Sequence, residues 1–374
     1  MFKKQVILVA GFDYELTSKG SEGGADFRKR CLRRMERLIK RFPKDDLKFT
    51  LFDVGAGTVE TNEIDDKTKR RQWTVTNTTD SAGKSVPFSF KKVTKANYDL
   101  ILPGREKRFK FSPDGVMSIT DIYAFIQQIG AGKDLETLIE LSFFSHGWVG
   151  GPILVNSHDP DETIAARNSA DKDPRTFKDF EPPNMDDTKL GNFSVAFSPN
   201  AIIWIWGCAF AGVFRTILRT LFETSKYKST PLGKLKNSDS FQLNFTEDKT
   251  VVGGSEIFDQ IRTDILPGGT LKTGKVRSYV VTHPFLELKD LFKNFLKNRT
   301  YSSKIATAAD VKTFGALLGT YADYELTGDR LMLVPKNIPP DPYKDSFIRV
   351  INFYKTYVGV AIDPENRGYG VFLP

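Results

Sequence analysis

The chain has 374 residues, of which 40% are hydrophobic, 27% charged and 12% aromatic. That composition supports a substantial buried core and excludes a disordered or low-complexity chain. The formal charge of +8 admits an anionic partner, but no stretch approaches the roughly 18 apolar residues of a membrane span, and no membrane span is expected.

Lys3-Lys4 followed by Val6-Ile7-Leu8-Val9-Ala10 has the look of a leader. The apolar run ends too soon, at Gly11-Phe12-Asp13, and no small-residue cleavage site follows, so a buried first strand is predicted. Next, Phe27, Cys31, Met35, Leu38, Ile39 and Phe42 recur at helical spacing among Arg28, Lys29, Arg30, Arg33, Arg34, Arg37, Lys40 and Arg41. The segment 25–42 reads as an amphipathic helix with a basic solvent face. No nucleic-acid motif accompanies it, so nucleic acid is not an expected partner. Phe49 to Gly55 reads as a second strand. The polar insertion at 60–110 contains a predicted hairpin, Trp73–Val75 and Phe88–Phe90 around Ser81-Ala82-Gly83-Lys84. Ser118 and Asp121 form a capping-box pattern ahead of Ile122, Phe125, Ile126 and Ile129, with Gly130 as the C-cap.

A third strand, Leu138–Phe144, and a fourth, Ala201–Trp206, are short, apolar and closed by glycine, as buried parallel strands are. Between them, 156–200 is rich in Asp, Asn and Pro and reads as a second insertion, a long irregular loop. Phe210, Val213, Phe214, Ile217, Leu218 and Leu221 form a helical stripe. Further on, Val276–Val281 and Arg349–Ile362 read as strands, and 285–297 and 308–318 as helices. The predicted class is α/β, a mostly parallel sheet flanked by helices. A core spans 1–225, with the C-terminal part, 226–374, either completing it or forming an appended α+β region.

Two cysteines and three histidines restrict the chemistry. Cys31 and Cys208 make no disulfide framework, which points to a reducing, cytoplasmic setting. No metal-ligand spacing occurs, so neither metal nor cofactor is expected. His158 in the polar insertion and His283 after a strand read as exposed and structural respectively. Cys31, on an apolar helical stripe, reads as core.

The remaining pair stands apart. Strand three runs into Ser145-His146-Gly147, and strand four into Gly207-Cys208-Ala209 ahead of a helix. The carboxyl ends of parallel strands share one edge, where reacting groups gather. A helix start would favour the Cys208 thiolate. His146 can hand a proton to a leaving amine, and amides around Gly147 and Cys208 can hold an oxyanion. His146 and Cys208 are therefore expected on adjacent strand ends.

A hydrophobic strand ending in Ser-His-Gly, then a later one ending in Gly-Cys before a helix, resembles the caspase-like cysteine proteases: caspases, metacaspases, gingipains, separase and CHAT relatives. The resemblance covers about residues 5–225. It implies a caspase/haemoglobinase-like sandwich and cysteine-endopeptidase activity on a protein or peptide substrate through a Cys208–His146 dyad, with no cofactor. It further suggests a regulated bacterial effector or defence protease, with a regulatory protein as partner. The chain lacks Gln-Ala-Cys-x-Gly and carries Trp206 before Gly207, so it is not a caspase proper. In such enzymes the residue after strand one helps select the P1 side chain. Asp13 is the match here and implies a basic P1, whereas Trp206 as an apolar wall implies a small or aromatic one. A basic preference would expose Lys67, Lys69, Arg70 and Arg71 to self-nicking. Two other readings use the same residues: a thiol-dependent acyl hydrolase or transferase, and a non-catalytic caspase-fold binding module.

Overall fold

Strand β1 (Lys4–Ala10) is buried along almost its whole length. Its side chains alternate between two apolar clusters, Val6, Leu8 and Ala10 on one face and Ile7 and Val9 on the other. The computed structural model describes residues 3–13, 26–65, 71–79, 82–93, 98–101, 108–111, 114–157, 171–175, 178–209, 212–248, 276–325, 328–336 and 347–374. After β1 come helix α1 (Phe27–Arg41), strands β2 (Leu47–Asp53), β3 (Thr58–Ile64) and β4 (Arg71–Val75), and two small hairpins. The first hairpin pairs β5 (Asn77–Thr79) with β6 (Ser85–Pro87), and the second pairs β7 (Tyr98–Ile101) with β8 (Arg108–Phe111). Helix α2 (Ile119–Ala131) leads to β9 (Leu138–Phe144) and the short hairpin β10 (His146–Trp148) with β11 (Gly151–Ile153). Helix α3 (Asp187–Val195), β12 (Phe197–Ile205), α4 (Gly212–Glu223) and α5 (Ser225–Ser229) follow.

Strands β13 (Ser240–Asp248) and β14 (Val276–Pro284) make a separate antiparallel pair. Helices α6 (Phe285–Arg299) and α7 (Tyr301–Ala309) precede β15 (Lys312–Gly315). The hairpin β16 (Asp323–Tyr324) with β17 (Met332–Leu333), helix α8 (Phe347–Phe353) with a π-helical extension at Tyr354–Val358, and β18 (Gly370–Phe372) complete the described elements.

The central sheet has eight strands in the order β18-β15-β12-β9-β1-β2-β3-β4. Its middle five, from β15 to β2, are mutually parallel, and β18, β3 and β4 extend it antiparallel at the two edges. Helices α1, α4, α6 and α8 pack on one face around Phe27, Phe214, Phe292 and Phe353. Helices α2, α3 and most of α7 pack on the other around Ile122, Phe193 and Ile305. The molecule is thus an α/β sandwich with a mostly parallel sheet between helices.

Several predicted elements differ. The C-terminal part, 226–374, supplies β15 and β18 to the central sheet. Residues 308–318, read as a helix, divide into the end of α7 and β15, with Asp310 in the left-handed region (φ 53°) turning the chain between them. Residues 349–362, read as a strand, are mainly helical, because Phe347, Val350, Ile351, Phe353 and Tyr354 all face one apolar cluster. The insertion at 60–110 adds β3 and β4 to the sheet edge, and its hairpin pairs 77–79 with 85–87. The loop at 156–200 contains α3, capped by the Asp186 carboxylate accepting from the Lys189 N–H.

The basic face of α1 is also less solvated than the sequence implies. Arg34 is 1% exposed and makes a bidentate pair with Glu140 on β9, Nε to Oε1 at 2.7 Å and Nη2 to Oε2 at 2.8 Å. Its third arm reaches Glu365 at 2.9 Å. The guanidinium lies 5.5 Å from the Trp204 ring and 5.4 Å from the Trp206 ring.

Candidate active site

Strands β1, β9 and β12 are parallel neighbours and end at one edge of the sheet. They run on into Gly11-Phe12-Asp13, Ser145-His146-Gly147 and Trp206-Gly207-Cys208. The ladders continue past the strand ends: Gly11 N–H donates to the Phe144 carbonyl at 2.8 Å and Trp206 N–H to the Phe143 carbonyl at 2.9 Å. Glycine is required by this convergence. A Cβ on Gly11 would lie 2.6 Å from Ser145 Cβ, one on Gly207 2.9 Å from the Ser145 carbonyl oxygen, and one on Gly147 2.7 Å from the Cys208 carbonyl oxygen. Backbone cannot yield to such contacts as a flexible side chain can. Gly147→Ala is therefore expected to push the Cys208 loop away from β10 and to cost about 1–3 kcal/mol by overpacking. Chemical denaturation and the rate of Cys208 alkylation measure the two effects, and a variant unchanged in both would contradict this tight contact.

The contacts bring the backbones of His146 and Cys208 side by side, since Gly147 abuts the Cys208 amide and carbonyl. His146 opens β10, where its backbone pairs with Ile153, and Ser145 Oγ donates to the His146 carbonyl at 2.6 Å. The imidazole Nε2 stands 2.8 Å from Asp13 Oδ1, with side chains 14% and 8% exposed. Phe27 meets the ring edge-on, its centroid 5.3 Å away at 89°. A carboxylate on one nitrogen and an aromatic edge on the ring leave the imidazole little rotational freedom.

Cys208 is half-buried. Its Sγ accepts the Ala322 N–H at 3.3 Å and donates to the Ala322 carbonyl at 3.8 Å. Ala322 belongs to the loop after β15, which is tied to the Cys208 strand end by Ala209 N–H to the Thr320 carbonyl at 3.3 Å and Gly319 N–H to the Ala209 carbonyl at 3.2 Å. The amide is the closer of the two and favours thiolate over thiol, whereas the carbonyl contact, which favours the thiol, is the longer and weaker. Cys208 lies just ahead of α4, whose described residues begin at Gly212. A further donor comes from Ala322, far along the chain, and a backbone N–H of an alanine leaves no signature in a sequence.

The other thiol contrasts with this one. Cys31 is fully buried on α1, and burial, reinforced by the Asp53 charge, pushes its thiol well above the ordinary range. It packs in the apolar cluster on the α1 face of the sheet.

Trp206 is a correction. The sequence made it a candidate wall of the substrate pocket, yet its side chain is 0% exposed. It stacks between Phe144, at 5.1 Å, and Trp204, at 4.2 Å, and its Nε1 donates to Ser142 Oγ at 3.3 Å. Side chains alternate along a strand, and position 206 points into the α1 face of the sheet while Gly207 and Cys208 lie at its rim. Asp13 sits at the rim as expected, with its carboxylate engaged by His146. His283, on β14, faces Glu287 at 2.9 Å. His158, Lys67, Lys69 and Arg70 lie outside the described residues. Among the described residues no group of three or more His, Cys, Asp or Glu is placed to hold a metal ion, and no helix is long and apolar enough to cross a membrane.

Compared with known proteins, the chain matches no family model, no curated protein and no solved structure.

Proposed function

We propose that the chain is a cysteine endopeptidase with a caspase-like sandwich, in which Cys208 is the nucleophile, His146 the acid/base and Asp13 the group that orients His146. The observation that carries this reading is the convergence of Asp13, His146 and Cys208 from three adjacent parallel strand ends, with a 2.8 Å His146–Asp13 contact. Acyl transfer to a thiol needs a thiolate, a proton for the leaving amine, and donors for the oxyanion. The Ala322 amide favours the thiolate. With Nε2 committed to Asp13, proton exchange falls to Nδ1 of His146. The Gly147 backbone abuts Cys208, so the Gly147 and Cys208 amides are the candidate oxyanion donors.

The reading changes what Asp13 does. As an orienting carboxylate it acts on every substrate alike, whereas as a P1 pocket it would act on basic residues selectively. Fluorogenic peptides that differ only at P1 separate the two. Asp13→Ala is expected to lower kcat by on the order of 10²-fold on all of them, with the P1 ranking unchanged. A loss confined to Arg and Lys peptides would return Asp13 to the substrate pocket. Digestion of a peptide library tests the activity itself. Rapid Cys208 labelling by a thiol reagent without peptide cleavage would point to an acyl hydrolase or transferase, and absence of both to a binding module.

A further inference from the structure

We infer that Arg367 and Tyr369, on the turn before the last strand, are positioning residues that set the thiolate character of Cys208. The inference rests on Cys208 being the nucleophile and extends to what holds its environment in place. Sγ accepts the amide N–H of Ala322 and meets its carbonyl, and Ala322 is the last residue before the β16–β17 hairpin. The hairpin is short, pairing Asp323 with Leu333 and Tyr324 with Met332, and two such pairs do not hold their own shape.

Arg367 is the most buried of the arginines that tie the hairpin down, beside Arg30 and Arg37 of α1, whose Nη1 atoms reach the Glu325 carbonyl at 3.4 Å and Asp329 Oδ2 at 2.9 Å. It is 7% exposed, and Nη1 binds Glu325 Oε2 at 3.0 Å and the Met332 carbonyl at 3.5 Å, Nη2 binds Asp329 Oδ2 at 2.9 Å, and Nε binds Glu365 Oε2 at 3.3 Å. One planar guanidinium thus joins Glu325, next after β16, to Asp329 and to Met332 on β17, which a point-like ammonium cannot do.

The same turn grips the other side of the sulfur. The Asp363 carboxylate accepts the backbone N–H of Arg367, at 3.0 and 3.1 Å, and that of Tyr369, at 2.9 Å. The Tyr369 hydroxyl donates to the Trp206 carbonyl at 2.7 Å, two residues ahead of Cys208. Asp363–Tyr369 therefore acts as a bracket with two arms. One arm fixes the backbone that carries the thiol, and the other fixes the hairpin whose leading residue, Ala322, gives it an amide. Losing either arm loosens the Sγ–amide contact while leaving Cys208, His146 and Asp13 themselves in place.

The test is the pH dependence of iodoacetamide alkylation at Cys208, read by peptide mass so that Cys31 does not contribute. Alkylation needs no substrate, so its outcome is independent of whether the chain cleaves peptides. Arg367→Lys and, separately, Glu325→Gln are expected to move the alkylation midpoint to higher pH and to slow labelling near neutral pH by about tenfold. Tyr369→Phe is expected to do the same to a smaller extent. Glu325 is less buried than Arg367, so Glu325→Gln carries the test if Arg367→Lys does not fold. A folded Glu325→Gln or Arg367→Lys protein with the wild-type alkylation profile would overturn the inference.

Discussion

Cys208→Ala should reduce peptide hydrolysis by about 10³-fold or more, the scale on which removing a nucleophile acts. The fold should be unaffected, because the side chain lies at the rim, half-buried. Cys31→Ala is the informative companion. It removes a fully buried sulfur from the α1 stripe and should cost about 1–2 kcal/mol of stability while leaving turnover nearly unchanged. The two thiols differ in environment far more than in sequence context. One meets an amide at the end of a sheet, and the other is enclosed by apolar side chains with its pKa pushed up. Initial rates on a fluorogenic peptide, with thermal melts of both variants, decide the matter. Equal losses of rate in two folded variants would mean that the nucleophile has been misassigned, and an undiminished rate in Cys208→Ala would remove the cysteine mechanism altogether.

What the sequence disclosed about this site follows from how local each signal is. A buried strand closed by glycine is written in consecutive residues, and β1, β2, β9 and β12 were each legible from such runs. Helices α1, α2, α4 and α6 were legible from their apolar periods. Placing His146 and Cys208 at one edge of the sheet required one further step, the rule that parallel strands share a carboxyl edge. The contacts that complete the site are not local. Asp13 was singled out, but its partner was not, because nothing near Asp13 announces an imidazole from β10. Ala322 contributes only its backbone, and Tyr369 reaches Trp206 from the other end of the chain. Trp206 was misplaced because bulk beside a reactive cysteine suggests a pocket wall, whereas strand alternation turns it inward. Residues 349–362 carry β-branched and aromatic residues that favour strand locally, and the tertiary apolar face of α8 overrides them.

The charge beneath that tryptophan stack leads to the largest expected effect on stability. Arg34→Met should destabilise the protein by about 3–5 kcal/mol, because it leaves the Glu140 carboxylate buried without its cation. Glu140 is 1% exposed and sits within the central strand β9. The Ser142 hydroxyl also donates to Oε1, at 2.7 Å, but a neutral donor does not offset a buried charge. Replacing both ends, Arg34→Met with Glu140→Leu, should recover most of the loss, since the cost lies in the orphaned ion more than in the missing bond. Acidification should act on the outer part of the same network. Burial alone would raise the Glu365 carboxyl, but Arg34, Arg37 and Arg367 outweigh it and hold it below the usual carboxylate range. A carboxyl depressed in the folded state stabilises above its unfolded pKa, and that contribution is lost as pH falls through the folded value. Wild type should therefore weaken toward acid, and Glu365→Gln should flatten that part of the curve. Urea denaturation of wild type, Arg34→Met, the double variant and Glu365→Gln at neutral and acid pH measures all of this. A double variant no more stable than Arg34→Met would show that the tryptophan stack needs the guanidinium itself, as a cation against the Trp204 and Trp206 rings, and that the orphaned carboxylate is not the source of the loss.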